Sequence, residues 1–187
     1  RVQNKGASSD PEGKFEVRWN PWRLGGASKM TSYLVVRQYE RNLAAIMEIP
    51  EDDQVPYVTV SPGVIGNGRV VDPDGKEIPN ARIKLILCFP NWRAGIDSDS
   101  SVITDDEGYF EAKAIPAEYD YLFQANAEGY GKTRKEVHAD EAVNGRLDVG
   151  TLVLKLANLT LTGVVVDAED QPVAGANIYG YGDGQPD

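Results

Sequence analysis

The chain has 187 residues, 41% of them hydrophobic, with 19 basic against 29 acidic side chains and a formal charge of −10. That balance argues against nucleic acid or an anionic membrane surface as a partner, and no apolar run reaches the roughly 18 residues of a membrane-spanning helix. A single cysteine, Cys88, excludes an internal disulfide and leaves the redox compartment open.

Neither terminus resembles a signal or transit peptide, and the opening Arg1 reads as the start of a processed product or of a piece of something longer. The first predicted element is a tight hairpin at Asp10–Glu16, where Asp and Gly meet the backbone demands of a turn. Trp19, Pro21, Trp22 and Gly25-Gly26 follow in a predicted protruding loop, before a strand at Tyr33–Val36 and a further apolar stretch at Tyr57–Val60. Ile65–Val71 is the next strand, closed by the turn residues Asp72-Pro73-Asp74-Gly75. Ile83, Leu85 and Leu87 then alternate with Arg82, Lys84 and Ile86, the period of a strand with one buried face, and Cys88 in the same run reads as a small buried hydrophobe. Pro90–Ser100 is a polar loop.

Val102–Thr104 leads through the turn Asp105-Asp106-Glu107-Gly108 to a returning strand at Tyr109–Ala112. Tyr121, Phe123, Ala125 and Ala127 give another alternating face, and Lys132–Val137 and Gly150–Leu156 complete seven strands between about residues 64 and 157. Asp140–Asn144 suits at most one helical turn, and no stretch sustains a 3.6-residue period. Short strands with regular turns and no alternating helices define an all-β antiparallel sandwich.

The chain also repeats itself. Asp10–Glu16 matches Asp105–Glu111, and Gly68–Asp72 matches Gly163–Asp167, both at an offset of 95 residues. Residues 63–157 read as one complete seven-stranded module, 1–62 as the closing part of such a module, and 158–187 as the opening part of another. The two partial units are complementary. An isolated half-sandwich leaves apolar faces and strand edges uncovered, so the halves are expected to be completed by copies of the chain or by adjoining modules of the same polypeptide.

Within the complete unit, Gly68-x-Val70-x-Asp72, Gly75-x-x-Ile78-Pro79-x-Ala81-x-Ile83, Thr104-Asp105-x-x-Gly108-x-Phe110, Tyr121-x-Phe123-x-Ala125 and Gly129-Tyr130 resemble the carboxypeptidase regulatory-like domain. The resemblance implies a transthyretin-like, seven-stranded, Ig-like sandwich, found as an accessory module in peptidases, surface proteins and transport receptors. It implies little about chemistry. The Lys-to-Asn isopeptide crosslink of some related surface sandwiches is not expected, because the first strand carries Arg69 and no Lys.

His138, the sole histidine, has no Ser or Cys elbow beside it and reads as a solvent-facing residue at a strand end. Asp97, Asp99, Asp105, Asp106 and Glu107 are the densest acidic group, and the four Asp residues are the candidates for calcium, at a spacing unlike an EF-hand loop. No enzyme activity and no cofactor are expected. Trp92, Val164, Val166, Ile178, Tyr179 and Tyr181, with Phe15, Val17, Tyr33 and Val35, are the expected interface residues, and Trp19 and Trp22 form a candidate ligand loop for a glycan. The leading expectation is a non-catalytic, extracellular or cell-surface bacterial repeat protein that self-associates head to tail by strand complementation; the alternative is a carbohydrate- or protein-binding accessory module of a larger protein.

Overall fold

Period-two alternation decides which side chains become the core. In the computed structural model, which describes residues 7–17, 32–49, 57–89, 92–96, 102–158 and 161–179, Ile83, Leu85, Leu87 and Phe89 of one strand point inward. They face Val70, Phe110, Leu147, Val149 and Leu152 from a second sheet. The strands in chain order are β1 (Tyr33–Gln38), β2 (Leu43–Glu48), β3 (Ser61–Pro62), β4 (Val64–Val71), β5 (Arg82–Phe89), β6 (Trp92–Gly95), β7 (Val102–Ile103), β8 (Tyr109–Ile115), β9 (Asp120–Asn126), β10 (Thr133–His138) and β11 (Arg146–Val153). A single 3-10 turn, Ala139–Glu141, precedes β11.

The central module is built from a β10-β9-β5-β6 sheet, with β7 also on β5, and a β11-β4-β8 sheet. Burying side chains of both inner faces against each other is what holds it, at about 1.5–3 kcal/mol for each large apolar side chain. All seven expected strands of this unit form. Two features differ from the sequence expectation. An eighth strand, β6, arises inside the predicted polar loop because Trp92–Gly95 folds back antiparallel on Phe89–Ile86. The pair β4–β11 is parallel, since it joins the first and last strands of the module and not two neighbours in a hairpin.

Cys88 is also placed differently. It shares the parity of Ile86 and so lies on the outer side of β5, half-buried, instead of in the core.

β4 passes under the aromatic core with no side chain to spare. A Cβ on Gly68 would stand 2.6 Å from the Gly150 carbonyl oxygen and 2.7 Å from the Phe110 ring, so only glycine fits there.

The turn chemistry repeats with the sequence. Asp72 Oδ1 accepts from the N–H groups of Asp74 and Lys76 (both 2.9 Å), and Asp167 Oδ1 accepts from those of Glu169 and Gln171 (both 2.9 Å). Asp105 and Asp10 do the same for Glu107 and Tyr109, and for Glu12 and Lys14. The resemblance extends past the side chain: Ile78 N–H bonds the Val70 carbonyl (3.1 Å), and 95 residues on, Val173 N–H bonds the Val165 carbonyl (2.8 Å). Residues 165–173 therefore reproduce the turn that follows β4.

β1–β3 form a separate antiparallel sheet that docks on the central module. The dock is a bulge in β8, where the ladder to β4 shifts between Val64–Ile115 and Gly66–Ala112 and leaves Ala114 at φ 55. The polar groups displaced from that ladder find partners in the β1–β2 hairpin. Arg37 Nε donates to the Ala114 carbonyl (2.9 Å) and Nη2 to that of Lys113 (2.7 Å), while Ala114 N–H donates to Asn42 Oδ1 (2.7 Å). Asn42 Nδ2 in turn donates to the Gly63 carbonyl (2.6 Å). Tyr33 stacks on Phe89 with ring centroids 4.3 Å apart, closing the apolar side of the contact.

Replacing Asn42 with Gly keeps its left-handed backbone (φ 49) and removes both side-chain bonds. This variant is expected to lose about 2 kcal/mol in urea unfolding, because the buried Ala114 N–H is left without an acceptor. An unchanged midpoint would refute the clamp.

Candidate functional site

The residues expected to meet a partner divide into two groups in the structure. Tyr33 and Val35 are half-buried against the core of the chain's own central module. Val164, Val166, Ile178 and Tyr179, with Phe15 and Val17, are exposed. Trp92 opens β6, and Tyr181, Trp19, Trp22, Asp97 and Asp99 fall outside the described residues.

Comparing equivalent positions of the repeat measures what the exposed group lacks. Ile83 is 1% exposed and its counterpart Ile178 is 78% exposed; Ile78 is 5% and Val173 is 43%; Phe110 is 4% and Phe15 is 39%. Side chains buried in the central module thus have counterparts in 7–17 and 161–179 that are partly to largely exposed. Among the described residues, the hydrogen bonds of 161–179 stay within that segment.

Two polar features lie on the outer faces of the sandwich. Cys88, Asp120 and His138 sit side by side on β5, β9 and β10 in register, flanked by Arg93 opposite Cys88 on β6. His138 Nδ1 is 2.9 Å from Asp120 Oδ1, which raises the imidazole above its ordinary value of 6.5, chiefly through that hydrogen bond and then through the carboxylate charge. Burial raises the Cys88 thiol, and Arg93 opposes the shift. His138 is exposed at the end of β10, as its sequence setting implies.

On the other sheet a concavity of about 820 Å³ is lined by Arg69, Tyr109, Glu111, Arg146 and Asp148 over the Gly68–Gly150 floor. Both guanidinium groups have partners: Arg69 pairs with Glu77 (2.6 Å) outside the hollow and lies over the Tyr109 ring, and Arg146 pairs with Glu111 (3.3 Å). Sequence reasoning missed this hollow because it forms across three strands distant in the chain. The β-bulge between Asp148 and Gly150 helps to shape it.

Asp105, one of the calcium candidates, uses Oδ1 to hold its own turn, and Asp106 is exposed beside it. Among the described residues, no group of three or more His, Cys, Asp or Glu side chains is disposed to hold a metal ion, and no helix is long and apolar enough to cross a membrane.

Two facing sheets, closed turns at their ends and an apolar edge segment define the class: an all-β sandwich domain. Residues 67–152 match the family model of the carboxypeptidase regulatory-like domain. No curated protein matches the chain in sequence. Among solved structures it is similar to chlorocatechol 1,2-dioxygenase from Pseudomonas putida (14% identity, TM-score 0.33, 50% of this chain and 59% of that one). It is also similar to catechol 1,2-dioxygenase from Pseudomonas arvilla C-1 (16% identity, TM-score 0.37, 53% of this chain and 54% of that one). The chain thus spans little more than half the length of these structures, and at such similarity neither fold nor chemistry transfers.

The His138–Asp120 pair gives a pH test. Because the folded imidazole is raised, its contribution to stability is complete below the unfolded pKa and is lost as pH rises through the folded one. NMR titration of His138 is expected to show a pKa above 6.5 that returns toward that value in Asp120→Asn. Equal pKa values in the two proteins would show that the carboxylate has no hold on the ring.

Proposed function

We propose that this chain is a non-catalytic structural repeat protein, placed outside the cell or on its surface, that associates head to tail by strand complementation between its two partial modules. The observation that carries the reading is the pairwise exposure across the repeat: Ile178 keeps the apolar identity of the fully buried Ile83, and Phe15 that of Phe110, yet Ile178 is 78% and Phe15 39% exposed among the described residues. The tail supplies opening strands and the head supplies a closing hairpin. A contact between unlike surfaces of identical chains is heterologous, and repeated addition generates a ring or an open filament. Strand addition suits this assembly because main-chain hydrogen bonds provide affinity while alternate side chains fill an apolar face.

A second reading rests on the hollow over Gly68 and Gly150. The exposed Tyr109 ring beside paired guanidinium and carboxylate groups suits a glycan, which combines an apolar face with hydroxyl edges, in an accessory module of a larger protein. Binding on a glycan array that disappears in Tyr109→Ala would support it, and an array without signal would remove it.

The leading reading is tested by sedimentation and negative-stain imaging over a concentration series. The full chain is expected to form concentration-dependent oligomers. Ile178→Asp should weaken association at least about 30-fold, from loss of about 2 kcal/mol of apolar burial, with no change in thermal unfolding. A chain that stays monomeric at the highest concentrations would overturn the proposal.

A further inference from the structure

The repeat also specifies how the two partial modules fit, strand against strand. In the central module β4 and β8 pair antiparallel with Gly66 opposite Ala112, Asn67 opposite Glu111, Gly68 opposite Phe110 and Arg69 opposite Tyr109. The first residue of each pair has a counterpart 95 positions later, and the second has one 95 positions earlier. Transferring the pairing gives Leu161 opposite Val17, Thr162 opposite Glu16, Gly163 opposite Phe15 and Val164 opposite Lys14. The bond from Val70 N–H to the Gly108 carbonyl transfers to Val165 N–H and the Gly13 carbonyl.

Gly163 singles out this register. Its counterpart Gly68 is required to be glycine, because any Cβ there would strike Phe110 and the Gly150 carbonyl. Among the described residues Gly163 meets nothing: a Cβ placed on it has no neighbour within 4 Å. Its φ is not in the left-handed region either, so among the described residues neither space nor backbone strain calls for glycine. A ring crossing it from outside does. Phe15, the counterpart of Phe110, is partly exposed and sits just after the hairpin held by Asp10.

Resting on the head-to-tail reading above, we infer that the tail of one copy pairs through residues 161–165 with residues 13–17 of a second copy, with Gly163 seated beneath Phe15 as the residue that fixes the register. Both partner segments carry preformed turns at their outer ends, Asp167–Gln171 on the tail and Asp10–Lys14 on the head, so little backbone order remains to be gained on pairing. Lys14 and Val164 correspond to Tyr109 and Arg69, which lie on the outward side of the sandwich, so this pair is accessible from solvent.

Two measurements test the register on the full chain. Gly163→Val is expected to unfold at the same temperature as the wild type and to associate about tenfold more weakly or worse, because a branched side chain collides with the crossing ring. In a Cys88→Ser background, chains carrying Lys14→Cys and chains carrying Val164→Cys are mixed and oxidised. The transferred pair is flanked by hydrogen-bonded pairs, which brings its Cβ atoms close enough for a disulfide. Covalent heterodimers are expected from this pair, and far fewer from Glu16→Cys mixed with Val164→Cys. A wild type that associates while Gly163→Val associates equally, or equal crosslinking in both pairs, overturns the register and leaves head-to-tail assembly standing. A wild type that never associates overturns both.

Discussion

The sandwich closes because β4 can lie within touching distance of aromatic rings. A Cβ on Gly66 would come 2.7 Å from the Phe123 ring, and one on Gly68 as close to that of Phe110, so the central strand of the β11-β4-β8 sheet is bare where the core is thickest. Removing those two side chains lets the phenyl groups span the space between sheets at native density. The other core residues, Ile83, Leu85, Leu87 and Phe89 on β5 and Leu147, Val149 and Leu152 on β11, fill in around them. Both faces depend on that one approach.

The segments on either side of the central module carry matching residues under different circumstances. The head has found a use within its own chain: the β1–β2 hairpin satisfies the polar groups that the β8 bulge displaces, and Tyr33 covers Phe89. The tail has not. Its turn is formed to the same hydrogen-bond pattern as the central module, which shows that Asx-type turn geometry is local and does not wait for a core. Strand order, in contrast, is tertiary, and the apolar residues of 161–179 remain outside any sheet.

The same division explains how much could be read from the chain. Asp72, Asp105 and their glycines identify their turns because every bond lies within four residues, and the alternation of Ile83, Leu85 and Leu87 identifies an inner face because parity alone places it. Parity would also have placed Cys88 outside, had it outweighed the apolar character of the run. β6 was not legible, since Trp92–Gly95 has no alternation of its own and owes its form to β5. The Arg37 and Asn42 clamp joins residues more than seventy positions apart, and the parallel β4–β11 pair joins the two ends of the module, so neither leaves a local trace. Nor does the sequence show that Tyr33 and Val35 pack against the central core, since those contacts join residues far apart in the chain.

The direction of β4 relative to β11 governs how the module meets a mechanical load. The polypeptide enters at Val64 and leaves at Val153, and because the two strands run the same way these points lie at opposite ends of the pair. Tension along the backbone slides one strand past the other, so the hydrogen bonds between Ile65–Val71 and Arg146–Val153 resist together in shear and do not peel apart one after another. A string of such modules would stretch its linkers well before it gave up a fold.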